Sequence, residues 1–91
     1  MKTTGPRYSK EEFARRGDAI YDRLVKPVVK KADHGKFVAI DIESGEFEID
    51  ADEMIACDRL EARVPDPQVW LTRVGLGYAR RFGPRPRRQR R

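Results

Sequence analysis

The fold is decided by residues 37–50, whose sequence is FVAIDIESGEFEID. Successive side chains of a strand point to opposite faces, and the first half of this stretch is apolar on both faces at its start. Two apolar faces are typical of a strand at the centre of a sheet, so we predict a central strand over residues 36–42. Gly45 marks a tight turn, because glycine adopts a positive φ angle without strain. Residues 46–50 then alternate acidic and apolar side chains, which predicts a half-exposed second strand.

Helical patterns flank this hairpin on both sides. Ser9 with Glu12 forms a capping-box pattern that predicts the start of a first helix, and Pro27 predicts its end. Asp50 is the predicted cap of a second helix, which ends before Pro65. The apolar stripe predicted for the first helix consists of Phe13, Gly17, Ile20, Leu24 and Val28, with Tyr21 and Val25 beside it.

A third strand is predicted over residues 68–74, with Trp70 in the core. The order helix–strand–strand–helix–strand predicts an α+β fold in which an N-terminal helix precedes a ββαβ unit. A right-handed crossover makes the second and third strands parallel. The simplest sheet then places the first strand between them, in the order 2-1-3, with both helices on one face or one on each.

The chain is long enough for one small domain, since a chain of this size buries only about 60–65% of its unfolded surface. We predict a disordered N-terminus at residues 1–8, a single domain at residues 9–79 and a flexible arginine-rich tail at residues 80–91. The chain contains 20 Lys and Arg against 15 Asp and Glu, yet no acid follows Asp66. Positive charge is therefore concentrated in the tail.

The cysteine count and the hydropathy of the chain indicate in which cellular compartment the protein is expected. Cys57 is the only cysteine, which excludes an intrachain disulfide and suits a core thiol in a reducing cytosol. The first residues lack the apolar run of a secretory signal, and no apolar run approaches the roughly 20 residues that a membrane-spanning helix needs. We therefore predict a cytoplasmic protein with no membrane association.

Asp41 and Glu43 match the Asp-x-Glu pattern with which an apolar strand opens a metal-dependent exonuclease. Two-metal cleavage of a phosphodiester needs several carboxylates that converge on ions about 4 Å apart. The later acids are explained by helix capping or by a solvated helix face, and the only histidine, His34, precedes the motif. We predict no catalytic residue, no metal ligand and no cofactor, and we place the acids of residues 41–50 on the exposed side of the hairpin.

The arginine-rich tail is the strongest functional signal in the sequence. Arginine binds phosphate through paired N–H donors, and each contact releases counterions, which gives affinity for RNA or DNA without base specificity. A solubilising end and an arm that folds onto an acidic partner are the competing interpretations. The predicted nucleic-acid-binding residues are Arg80, Arg81, Arg85, Arg87, Arg88, Arg90 and Arg91.

Four segments resemble a group of small uncharacterised bacterial proteins. They are GDAIYDRLVKPVV, GKFVAIDIESGEFEID, RLEARVPDPQVWLTRVG and GYARRFG, which lie within residues 17–83. Pro67 stands where the group has alanine, Val64 stands where it has a polar residue, and the arginine tail is longer than in the group. The resemblance implies no established activity. Genes of the group resemble the antitoxin-like halves of two-gene cassettes, and some lie beside genes for small retropepsin-like proteins.

We expect a non-enzymatic binding protein, an antitoxin-like or adaptor partner of another bacterial protein encoded nearby. The alternative is a nucleic-acid-binding module that acts through the tail. Open sheet edges are predicted at the second and third strands, and such edges invite addition of a partner's strand. Arg73 and Tyr78, beside the third strand's edge, are the predicted partner-binding residues. The stripe of the first helix also allows a homodimer.

Overall fold

The computed structural model describes residues 8–83, and for residues 77–83 it describes the backbone alone. The helical elements are α1 (Lys10–Ile20), a π-helix (Tyr21–Val25) that continues α1, a 3₁₀ helix (Lys31–Asp33) and α2 (Glu53–Arg63). The strands are β1 (Phe37–Asp41), β2 (Phe47–Asp50), β3 (Val69–Arg73) and β4 (Gly77–Gly83). They form an antiparallel sheet in the order β2-β1-β3-β4. The α+β class and the 2-1-3 order of the first three strands are confirmed.

The hairpin predicted from residues 37–50 is present, and β1 is a central strand. β1 pairs with β2 so that Phe37 lies opposite Asp50 and Ile40 lies opposite Phe47. On its other side β1 pairs with β3 along its whole length. Gly45 has a φ angle of +86°, as the turn between β1 and β2 requires. Val38, Ala39 and Ile40, which lie on both faces of β1, are buried because a helix covers each face.

One helix lies on each face of the sheet, so the core is divided into two clusters. The cluster on the α1 face contains Phe13, Ile20, Val25, Val38, Ile40, Ile42, Trp70 and Val74. The cluster on the α2 face contains Ala39, Ala56, Cys57, Leu60, Val69 and Leu71. α1 packs across β1, β3 and β4, whereas α2 packs across β1 and β2. The two helical layers are therefore offset toward opposite edges of the sheet.

The helix starts follow the capping rules, with one correction. Ser9 caps α1 as predicted, because its Oγ accepts a hydrogen bond from the N–H of Glu12 at 3.1 Å. The predicted cap of α2 at Asp50 is wrong: Asp52 caps α2 by accepting from the first-turn N–H groups. Asp50 instead accepts a hydrogen bond from the N–H of Asp52 at 2.8 Å. Asp50 is therefore still part of the turn that leads into α2.

The π-helix changes which residues of the first helix are buried. The predicted stripe holds through Phe13, Gly17 and Ile20, all of which are buried. The next buried residue is Val25, while Leu24 and Val28 are 40% and 56% exposed. A π-helix closes its hydrogen bonds from residue i to residue i+5, which rotates the following residues relative to an α-helix. The predicted stripe is therefore buried only as far as Ile20, and its last two members, Leu24 and Val28, are exposed.

The sheet extends further than the sequence predicted. β4 pairs with β3, from Gly83 opposite Val69 to Gly77 opposite Arg73, and its register shifts midway in the manner of a β-bulge. Residues 80–83, assigned to the flexible tail, belong to this strand. β3 is consequently paired on both sides, so the predicted open edge at the third strand is wrong. Residues 1–7 and 84–91 lie outside the described residues. Within residues 8–83, no helix has the length and apolar content needed to cross a bilayer.

Candidate protein-binding surface

The two carboxylates of the Asp-x-Glu pattern lie in different surroundings. Asp41 is 2% exposed, and its carboxylate accepts hydrogen bonds from the N–H groups of Ser44 at 3.1 Å and Gln68 at 2.8 Å. Glu43 is exposed, and its Oε2 accepts a hydrogen bond from the Tyr8 hydroxyl at 3.0 Å. Asp41 thus ties the β1–β2 turn to the residue before β3. The prediction that the acids of residues 41–50 lie on the exposed side of the hairpin is wrong for Asp41.

The acids of β2 and its preceding turn face two arginines of α2. Arg59 lies 3.3 Å from a carboxylate oxygen of Asp50, and Arg63 lies 2.9 Å from one of Glu48 and also pairs with Glu46. Partly exposed pairs of this kind contribute at most about 1 kcal/mol each. Their main consequence is positional, since they hold α2 over β2. Among residues 8–76, no group of three or more His, Cys, Asp or Glu side chains is arranged to hold a metal ion.

β2 forms one edge of the sheet, and its outward backbone groups are partly occupied. The N–H of Asp41 bonds to the C=O of Glu46 at 2.9 Å, so the alternation of an antiparallel ladder turns the backbone groups of Phe47 and Ile49 outward. The outward C=O of Phe47 accepts a hydrogen bond from Nη2 of Arg63 at 2.8 Å. A short edge strand with a blocked carbonyl is a protected edge. The predicted strand addition at β2 is therefore restricted to the part near Ile49.

A groove of about 270 Å³ opens between the first helix and the β1–β2 turn, and we call it the Leu24 groove. Its floor includes the buried side chains of Ile20 and Ile42, and Leu24 forms part of its wall. The remaining lining residues are Arg16, Ala19, Arg23, Glu43, Ser44 and Gly45. The groove therefore combines an apolar floor with a charged rim.

The charged residues of the rim differ in their partners. Arg16 donates to Glu12 at 2.6 Å, and its guanidinium lies 4.5 Å from the centre of the Tyr8 ring. The hydrogen bond from Arg16, supported by Arg15, lowers the pKa of the Glu12 carboxyl, and Glu12 in turn raises the pKa of Arg16. Arg23 forms no ion pair with any acid in residues 8–76. Arg23 is thus a cation at the groove that the described fold does not neutralise.

The predicted partner-binding residue Arg73 is occupied by contacts within the fold. Its Nε donates to the C=O of Gly35 at 3.0 Å, and its guanidinium lies 4.6 Å from the centre of the Phe37 ring. It also lines a second hollow of about 400 Å³ together with Asp18, Tyr21, Asp22, Lys26, Thr72 and Gly75. Tyr78 lies in β4 opposite Thr72, so the two predicted residues are on neighbouring strands. The structure describes only the backbone of Tyr78.

The predicted nucleic-acid-binding residues begin inside the sheet. Arg80 and Arg81 lie in β4, which is the edge strand opposite β2. The other five, Arg85, Arg87, Arg88, Arg90 and Arg91, lie outside the described residues. Residues 37–68 contain ten acids and two arginines, whereas residues 73–91 contain eight arginines and no acid. Acidic charge is therefore gathered on the β2 and α2 side, and the basic run starts at the other edge.

Comparisons with protein-family models, with curated proteins and with solved structures found no match for this chain. The resemblance to small bacterial proteins of antitoxin-like gene pairs therefore stays a prediction.

Sequence reasoning missed the Leu24 groove for a physical reason. Its two walls come from residues 16–24 and 42–45, which are distant in the sequence and meet only in the folded chain. The predicted stripe also grouped Leu24 with Phe13, Gly17 and Ile20, all of which are buried. The sequence did contain one sign that Leu24 could be exposed. Val25, the next residue, is also apolar and can be buried in place of Leu24.

Proposed function

We propose that this protein is a non-enzymatic, cytoplasmic binding protein that engages a partner protein at the Leu24 groove. The observation that supports the proposal is the position of Leu24. A large apolar side chain is displaced from the core by the π-helix and stands beside a concave apolar floor. A few residues that lie in well-packed, desolvated pockets supply most of the binding energy of protein interfaces.

The size of the groove favours a protein partner over a free small molecule. Pockets that enclose drug-sized ligands measure about 300–1,000 Å³. At about 270 Å³ and open to solvent, the Leu24 groove suits one or two side chains presented by a larger partner. The resemblance to antitoxin-like genes supports a partner encoded nearby, with this protein as its antitoxin-like or adaptor counterpart.

A matched pair of substitutions tests the proposal. Leu24 and Ile55 are 40% and 42% exposed and lie on opposite faces of the sheet, so Leu24→Asp and Ile55→Asp introduce the same carboxylate at equally exposed sites. Calorimetric titration with the protein of the neighbouring gene measures the affinity. We expect Leu24→Asp to weaken binding about 30-fold or more, the effect of losing a hot spot, and Ile55→Asp to change it less than about threefold. Equal effects of the two substitutions, or no binding by the unsubstituted chain, would refute the proposal.

A second function, binding of RNA or DNA, is supported by the arginine run that begins in β4. Because Arg80 and Arg81 belong to the sheet, the run starts from a fixed edge rather than from a free end. Deleting residues 84–91 removes five arginines and leaves β4 in place. We expect salt-sensitive binding to polynucleotide, followed by fluorescence anisotropy, to be lost while binding at the Leu24 groove is unchanged. Absence of polynucleotide binding by the full-length chain at low salt would exclude this function.

A further inference from the structure

We infer that the Leu24 groove recognises a peptide segment in which an apolar side chain lies next to a carboxylate. The inference rests on the proposed function and names the chemistry of the partner. The groove has an apolar floor, a charged rim and a wall formed by the first helix.

The floor requires an apolar group. Ile20 and Ile42 are buried beneath it, and Leu24 and Ala19 stand beside it. Burying apolar surface against these side chains is favourable by about 25 cal/mol per Å² of area removed from water. The groove is too small for a helix or a strand to enter, so the apolar group is a single side chain of a partner that lies across the opening.

The rim requires a negative charge. The charged residues that line the groove are the cations Arg16 and Arg23 and the anion Glu43. Arg16 is already bonded to Glu12, and Glu43 already accepts from the Tyr8 hydroxyl. Arg23 is the cation without a described acidic partner. A carboxylate bound to a guanidinium through paired N–H donors is among the stronger hydrogen-bonded contacts in proteins.

The helical wall places the cation and the apolar group side by side. Residues 16, 19 and 20 of α1 and residues 23 and 24 of the π-helix line the groove together, opposite the β1–β2 turn. Lys26, three residues after Arg23, lies 4.0 Å from Asp22 and lines the other hollow. Cations on the same helical segment therefore belong to two different surfaces, and Lys26 is a matched control for Arg23.

Two small probes separate the apolar and the anionic requirements. N-acetyl-leucine carries an isobutyl group and a carboxylate, and N-acetyl-leucinamide carries the same apolar group without charge. We expect N-acetyl-leucine to shift the backbone amide resonances of Leu24, Ser44 and Gly45 in the ¹⁵N-labelled full chain. The amide should bind about fivefold more weakly, which is the effect of one partly exposed ion pair. Arg23→Gln should abolish the difference between the probes, and Lys26→Gln should preserve it.

The inference and the proposed function fail in different ways. Equal affinities of the two probes, shifts that avoid the groove, or a difference that persists in Arg23→Gln would overturn the inference. The complex with the neighbouring-gene protein gives the second readout. If Leu24→Asp weakens that complex and Arg23→Gln does not, the inference fails and the function stands. If Leu24→Asp leaves the complex unchanged, the function fails whatever the probes show.

Discussion

Replacing Gly17 by alanine tests how closely α1 packs on the sheet. Gly17 is buried in α1 over the indole of Trp70, and a Cβ atom at this position would lie 2.6 Å from Trp70 Nε1 and closer still to Cδ1 and Cγ. Non-bonded carbon atoms at optimal contact are about 3.5–4.0 Å apart. The helix or the indole must therefore move by about 1 Å or more to admit one methyl group.

Two effects of opposite sign determine how much Gly17→Ala changes the free energy of unfolding. Alanine is favoured over glycine in a helix interior by about 1 kcal/mol. An extra methyl group in a well-packed core costs about 1–3 kcal/mol, and the cost is at the upper end where the neighbour cannot move away. Trp70 is only 2% exposed, so we expect Gly17→Ala to lower the free energy of unfolding by about 2 kcal/mol. In a domain of this size that lowers the Tm by about 8–16 °C.

Urea and thermal unfolding, followed by far-UV circular dichroism in all chains and also by the fluorescence of the single tryptophan in chains that keep Trp70, measure this change. Asp18→Ala is the control, because Asp18 is the exposed neighbour in the same helix and its substitution should change stability by less than about 0.5 kcal/mol. Trp70→Phe removes part of the clash, so its combination with Gly17→Ala should show a coupling of about 1 kcal/mol. A Gly17→Ala chain as stable as the original, with unchanged tryptophan emission, would refute the packing described for α1.

Two further predictions concern the acids. Asp41→Ala leaves the buried N–H of Gln68 without its acceptor and should cost about 3 kcal/mol in urea unfolding, whereas Glu43→Ala should cost less than about 0.5 kcal/mol. Equal losses would contradict the structural role of Asp41. The hydrogen bond from Arg16 lowers the pKa of Glu12, so its stabilising effect is present above the carboxyl's ordinary pKa and is lost as the pH falls through the lowered value. Glu12→Gln should therefore flatten the acid limb of a Tm–pH profile, and an unchanged limb would contradict the pairing.

The hairpin and the position of β1 could be predicted because local pattern and tertiary burial agree there. Strict alternation in residues 46–50 predicts which side chains of β2 face the core. Apolar residues on both faces of β1 predict that both faces are covered, which is typical of a central strand. Cys57 and Trp70 are buried, as an apolar helix face and an apolar strand predict. The order of the first three strands could be predicted because a helical connection between β2 and β3 favours parallel strands, which leaves the place between them to β1.

The features that escaped prediction depend on contacts between distant segments. At the end of α1 both Leu24 and Val25 are apolar, and only packing against the sheet decides which is buried. β4 is bounded by glycines and rich in arginine, so its local preference for a strand is weak and pairing with β3 supplies the stability. Strand alternation predicts which face of β1 carries Asp41. It does not predict the backbone N–H groups that donate hydrogen bonds to the Asp41 carboxylate. The Leu24 groove depends on the placement of Leu24 and on the β1–β2 turn, whose Ser44 N–H donates to Asp41.

Site-specific photo-crosslinking tests the proposed binding surface most directly. A photoreactive phenylalanine analogue replaces Leu24 in one full-length chain and Ile55, which is equally exposed on the opposite face, in another. Both chains are produced in the native host and irradiated. We predict a discrete protein adduct of one mass from position 24 and none above background from position 55. The same adducts from both positions, or none from position 24, would contradict a partner-binding role for the Leu24 groove.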